Sequence, residues 1–188
     1  MRPSAALGTL LLAAAPLWAQ EDLPPGYPPR MGEITGTLGG KDVTWETFDF
    51  SVGAFDASAQ ATRDGESGEV TLRLVGHRPG APDSRRMRAV IRGSFGASLR
   101  LGAARDPEIA IYRGAEWDGP RLTSEGQTVE LVIDSIGPEV SDSYSRRVTG
   151  HASARLCPKA WLLKSCQEVV LRFDTDVQID GRVPVQRH

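Results

Sequence analysis

The segment Val169–Asp180 dictates most of what this chain can become. Val169, Leu171, Phe173, Thr175, Val177 and Ile179 fall on one side of an extended chain, and Val170, Arg172, Asp174, Asp176, Gln178 and Asp180 on the other. A helix would spread both sets around its circumference, whereas a strand separates them because its side chains alternate. One apolar and one charged face mark an antiparallel sheet with one side packed and the other wet.

The same period of two recurs along the chain. Ile34 to Leu38 leads through Gly39-Gly40 into Val43, Trp45 and Thr47, and a Gly-Gly pair between alternating runs signals a hairpin. Phe48, Phe50, Val52 and Ala54 continue the alternation after a change of face. Val70, Leu72 and Leu74 follow the polar turn Arg63–Gly68; Met87, Ala89, Ile91, Gly93 and Phe95 follow a loop that holds Pro79, Gly80 and Pro82. The second half adds Ile109 and Ile111, then Val129, Leu131 and Ile133, then Val148, Gly150, Ala152, Ala154 and Leu156. No window carries an amphipathic helix of three turns. The expected fold is all-β, an antiparallel β-sandwich of nine or ten short strands spanning residues 31–180, with a small β-barrel as the alternative. Residues 181–188 are expected to be a flexible tail.

The amino terminus reads as an export signal. Arg2 supplies a small positive region, Ala5 to Leu17 is almost wholly apolar, and Pro16 precedes Leu17-Trp18-Ala19. The run is too short to span a bilayer, which takes about 20 residues, and Ala19 has the small side chain a signal peptidase needs. Cleavage is expected between Ala19 and Gln20. No cysteine follows the run to take a lipid anchor, and no other stretch is long and apolar enough to cross a membrane. The next segment, Gln20–Arg30, holds Pro24, Pro25, Pro28 and Pro29 and reads as an extended linker. The expected location is periplasmic or secreted.

Removing the nineteen signal residues from 188 leaves 169, the size of one domain with a substantial core. Without Arg2, 21 basic residues face 24 acidic ones, a balance that argues against nucleic-acid binding. The chain has no Asn, hence no N-glycosylation acceptor, and only Lys41, Lys159 and Lys164 among lysines. Together with abundant Arg, Gly, Ala and Pro, that bias fits a GC-rich genome and makes arginine abundance weak evidence of arginine function. Two cysteines, Cys157 and Cys166, are expected to pair in an oxidising compartment. Closing that loop stabilises by about 2–3 kcal/mol in the loop-entropy description.

The run Val148-Thr149-Gly150-His151-Ala152-Ser153-Ala154-Arg155-Leu156-Cys157, then Cys166 and a strand ending in Phe173-Asp174, resembles the closing hairpin of uncharacterised secreted bacterial β-sandwich proteins. The opening turn Gly39-Gly40-Lys41-Asp42-Val43-Thr44-Trp45 is similar to their start. The likeness covers about a quarter of the chain; it implies a sandwich and no activity.

Several clusters bear on chemistry. Asp174, Asp176 and Asp180 precede Gly181, but no Glu follows to complete a calcium loop, so a solvated strand face is expected. Arg86, Arg88 and Arg92 share the outward side of one strand and are candidate contacts for a phosphate, a sulfated glycan or an acidic partner. Ser141, Ser143 and Ser145 lie near His151, but no Gly-x-Ser-x-Gly nucleophile turn is present. His77, His151 and His188 are scattered and read as surface residues rather than metal ligands. Trp161, Leu162 and Leu163, inside the expected disulfide loop, are either a plug for the end of the sandwich or a hot spot for a partner. No catalytic residue, metal ligand or cofactor is assigned. The expected function is a non-enzymatic exported protein that binds an unknown protein or envelope component. The alternatives are a hydrolase built from scattered Asp, Ser, His and Arg, or a carrier of a small apolar ligand.

Overall fold

The computed structural model describes residues 26–51, 56–82, 87–114, 119–140, 144–159 and 165–186. These contain eleven strands and no helix: β1 Arg30–Leu38, β2 Lys41–Phe48, β3 Ala59–Arg63, β4 Val70–Gly76, β5 Arg88–Ser94, β6 Gly102–Ala103, β7 Arg105–Tyr112, β8 Leu122–Thr123, β9 Val129–Val140, β10 Ser145–Pro158 and β11 Gln167–Ile179. The all-β expectation holds. The strand number exceeds the expected nine or ten because β6 and β8 are two residues long, too short to show any alternation.

All strands join one folded-over sheet in the order β2-β1-β11-β3-β4-β5-β7-β8-β10-β9-β6, with β11 also pairing β10. It divides into two facing layers. The first is β2-β1-β11-β10-β9-β6 and the second is β3-β4-β5-β7-β8. At one corner β11 leaves β1 and pairs β3 in parallel through Gln178–Gln60 and Ile179–Ala61. At the other, β10 pairs β8 through Cys157–Thr123 and Pro158–Leu122. These two-residue links complete a circuit, but they are too short to carry the regular stagger of a barrel. The architecture is a sandwich stitched at two corners.

The first layer is laid down by two hairpins. Gly39 and Gly40 adopt φ of 59° and 76°, the left-handed pair that a tight two-residue turn requires, and place Ile34 opposite Trp45. The β10–β11 ladder runs from Ser145–Gln178 to Leu156–Gln167. Along it Val169, Leu171, Phe173, Thr175, Val177 and Ile179 are all buried, as the alternation requires. Gly150 faces Phe173 across this ladder. A Cβ there would lie 2.2 Å from the ring tip, so the phenyl group occupies the space that a side chain would take.

Both layers contribute to one apolar cluster that includes Ile34, Leu72, Ile91, Phe95, Ile109, Leu131 and Phe173. Contact between layers is direct: a Cβ on Gly76 of β4 would strike Trp45, and one on Gly93 of β5 would strike Leu131 of β9. The buried hydroxyls of Thr47 and Thr175 hydrogen-bond each other at 2.6 Å, which answers the burial of two polar groups.

The carboxyl-terminal segment corrects an expectation. Residues 181–186 dock rather than hang free: Val183 is buried, Leu99 N–H donates to Pro184 O, and Gln186 N–H donates to Leu99 O. Asp180 makes this possible, because its side chain accepts hydrogen bonds from the backbone and guanidinium of Arg182 and fixes the turn.

Candidate functional site

Cys157 and Cys166 form a disulfide. Cys157 is also the residue that pairs Thr123 of β8, so the bridge reinforces the corner at which β10 crosses to the second layer. The loop it closes contains Trp161, Leu162 and Leu163, which lie outside the described residues. So do the Ala19–Gln20 cleavage point, Arg86, Ser141, Ser143 and His188.

The outer face of the first layer is polar and rich in carboxylates. Glu46, Glu33 and Asp174 lie in one row across β2, β1 and β11. Like charges directly opposite one another destabilise a sheet, and here two arginines offset them. Arg30 reaches Glu33 at 2.7 Å and Glu46 at 3.3 Å; Arg147 reaches Asp174 and Asp176 and donates to Met31 O at 2.8 Å. Asp174 and Asp176 are therefore partners of arginine on a strand face, and Asp180 is engaged by Arg182.

His151 also sits on this face. Its Nδ1 lies 3.0 Å from Asp134 Oδ2. A bulge produces the contact: Ser135 pairs Thr149 and Ile133 pairs Gly150, leaving Asp134 as the extra residue on β9. Bulges re-aim side chains in this way. The Ser135 and Thr149 hydroxyls bond each other at 2.6 Å. A depression of about 320 Å³ adjoins Asp134 and is lined also by Glu33, Thr35, Thr149, Arg172 and Asp174. A His–Asp pair resembles part of a nucleophile-activating set, but His151 is 40% and Asp134 51% exposed. Water of high dielectric surrounds the pair, where general-base and oxyanion interactions are weak. His77, expected at the surface, is instead buried against Phe48 and Phe50. Among the described residues no group of three or more His, Cys, Asp or Glu is placed to hold a metal ion.

The second layer's outer face has a different character. Arg73, Arg92 and Glu108 form one row across β4, β5 and β7; Val75, Val90 and Ala110 form the next; and Arg88 pairs Tyr112 beyond them. Arg92 contacts Glu108 through both Nε and Nη2. Glu108 reaches this position through another bulge, where Asp106, at φ 45°, and Pro107 face Gly93 alone. Of the candidate anion contacts, Arg88 and Arg92 thus lie on one strand face as expected. Arg73, Tyr112 and the valine–alanine floor were not legible in the sequence, because register between separate strands assembled them.

No protein-family model, no curated protein and no solved structure matches this chain.

Proposed function

We propose that the chain is an exported, non-enzymatic interaction module, periplasmic or secreted, that binds a protein or envelope component. One observation carries this reading: the interior is filled. A contiguous cluster of fully buried side chains from both layers, Phe95, Phe173, Leu72, Ile91, Ile109 and Leu131 among them, occupies the space that a carrier would reserve for an apolar ligand. The depression beside Asp134, lined by Glu33, Thr35 and Arg172 among others, is an open groove on a sheet face, unlike the concave, water-excluding sites in which catalysis gains its electrostatic advantage. Export is supported by the three-part pattern of Met1–Ala19 and by the Cys157–Cys166 bridge, which persists in oxidising compartments. Among the described residues no helix is long and apolar enough to cross a membrane.

The test is chemical crosslinking in intact cells that export the chain, followed by mass spectrometry. The reading expects a mature chain starting at Gln20 and a discrete heavier adduct of reproducible composition. Recovery of monomer alone contradicts the interaction role, and retention of Met1–Ala19 contradicts processing.

A further inference from the structure

The first layer's outer face gathers hydrogen-bonding groups of both signs around one central guanidinium. Arg172 lies on β11, with Thr35 of β1 on one side and His151 of β10 on the other. Among the described residues its guanidinium has no hydrogen-bond or ion-pair partner. The carboxylates that share its depression are each held through one oxygen: Glu33 Oε2 by Arg30, Asp174 Oδ1 by Arg147 and Asp134 Oδ2 by His151. The second oxygen of each is able to accept further hydrogen bonds. The depression, of about 320 Å³, equals roughly ten waters in volume, the bulk of one six-membered sugar ring and its hydroxyls. One row along β11, Val170 is 56% exposed. It borders a second depression, of about 710 Å³, together with Glu130, Ser153, Arg155 and Glu168.

We propose that this face binds a neutral glycan of the envelope, with one sugar seated over Arg172 and another over Val170. The site rests on the interaction-module reading, in which the glycan is the envelope component bound. Charge decides the class of ligand. A phosphate or carboxylate drawn to Arg172 would be repelled by Glu33, Asp134 and Asp174, and an ammonium drawn to those carboxylates would meet Arg172. A hydroxyl both donates and accepts, so two neighbouring sugar hydroxyls satisfy a carboxylate oxygen and a guanidinium N–H together and bring no net charge. Thr35 adds a further hydroxyl to the same depression. Side chains on one face of a strand recur about every 7 Å. Arg172 and Val170 therefore offer successive rings a polar seat and then an apolar one, on which the C–H face of a sugar rests.

The probes are neutral tetrasaccharides (maltotetraose, cellotetraose, mannotetraose, xylotetraose and chitotetraose) titrated into the isotopically labelled mature chain and followed by amide NMR shifts. Tetragalacturonate and tetralysine are the charged controls. At least one neutral probe shifts the Thr35 and Arg172 amides, and its affinity changes by less than about twofold between low and high salt, because no net charge is exchanged. Arg172→Ala weakens that binding by about tenfold, in keeping with hydrogen bonds to a charged group, whereas Arg92→Ala on the opposite face leaves it unchanged. An unfolding midpoint of Arg172→Ala equal to that of the parent chain shows that the loss is not one of folding. Silence from every neutral probe, tighter binding of either charged control, or shifts that survive Arg172→Ala would each overturn the proposal. A crosslinked protein partner in cells, with no sugar bound, would sink this site while leaving the interaction-module reading intact.

Discussion

On the first layer's outer face, the row of carboxylates across β2, β1 and β11 is bridged by guanidiniums of the same face. Arg30 spans Glu33 and Glu46, and Arg147 spans Asp174 and Asp176. On the second layer's outer face the sheet sets Arg73 directly opposite Arg92, and Glu108 pairs with Arg92. The first pattern bridges carboxylates with arginines, whereas the second sets two arginines side by side with one of them held by a carboxylate. Both faces rest on the same core, so the difference lies in surface chemistry and not in fold. Arginine abundance in the sequence does not distinguish them; cross-strand register does.

The largest effects fall on what the two faces share. Phe173→Ala removes a ring that packs over Gly150 and should cost about 3–5 kcal/mol in urea unfolding; both faces then melt together, and a loss below about 1 kcal/mol would show that the layers are not held by one core. Replacing Cys157 and Cys166 by Ser should cost about 2–3 kcal/mol, with amide protection lost first at Leu122 and Thr123, where β10 meets β8. Protection lost first at β2 instead would contradict the role given to that corner.

The faces separate at the next level. Arg147→Ala should destabilise by up to about 1 kcal/mol, the ceiling for exposed pairs of this kind, and more at low salt than at high. Arg92→Ala should leave stability within about 0.5 kcal/mol, since it also relieves the repulsion with Arg73. If Arg92→Ala proves the more damaging in equilibrium unfolding, the contrast between the faces is wrong. The smallest effect concerns the docked carboxyl-terminal segment. Hydrogen bonds from the Arg182 side chain and backbone hold the Asp180 carboxyl below the usual carboxylate range. Its contribution is present above the ordinary aspartate value of about 4 and is lost as pH falls through the lowered folded value. Exchange of the Leu99 and Gln186 amides should therefore quicken, relative to the core, below pH of about 4. Asp180→Asn should produce the same loosening at neutral pH.

Much of the fold was written in the alternation. The β11 pattern, the Gly39-Gly40 hairpin and the inward row Val148 to Leu156 all follow from local rules, because each strand's own period decides which face it buries. What the alternation could not carry was anything set by pairing between distant segments. The β11–β3 and β10–β8 corners are two residues long, and the Asp134 and Asp106 bulges shift register by a single residue. The docked Val183 and Val185 are two apolar residues, too few to show a period. The same reason governs the sites. Arg88 and Arg92 were visible as neighbours on one strand. Arg73, Tyr112 and Glu108 joined them only through the ladders that place β4 and β7 beside β5, and Asp134 met His151 only through a bulge.

That one filled core joins both layers is tested most directly by native-state hydrogen exchange of the mature chain. The shared core predicts that the amides of Ile91 on the second layer and Leu171 on the first exchange through one global opening, with a common dependence on urea. Separate dependences, with one layer opening at a lower free energy than the other, would contradict it.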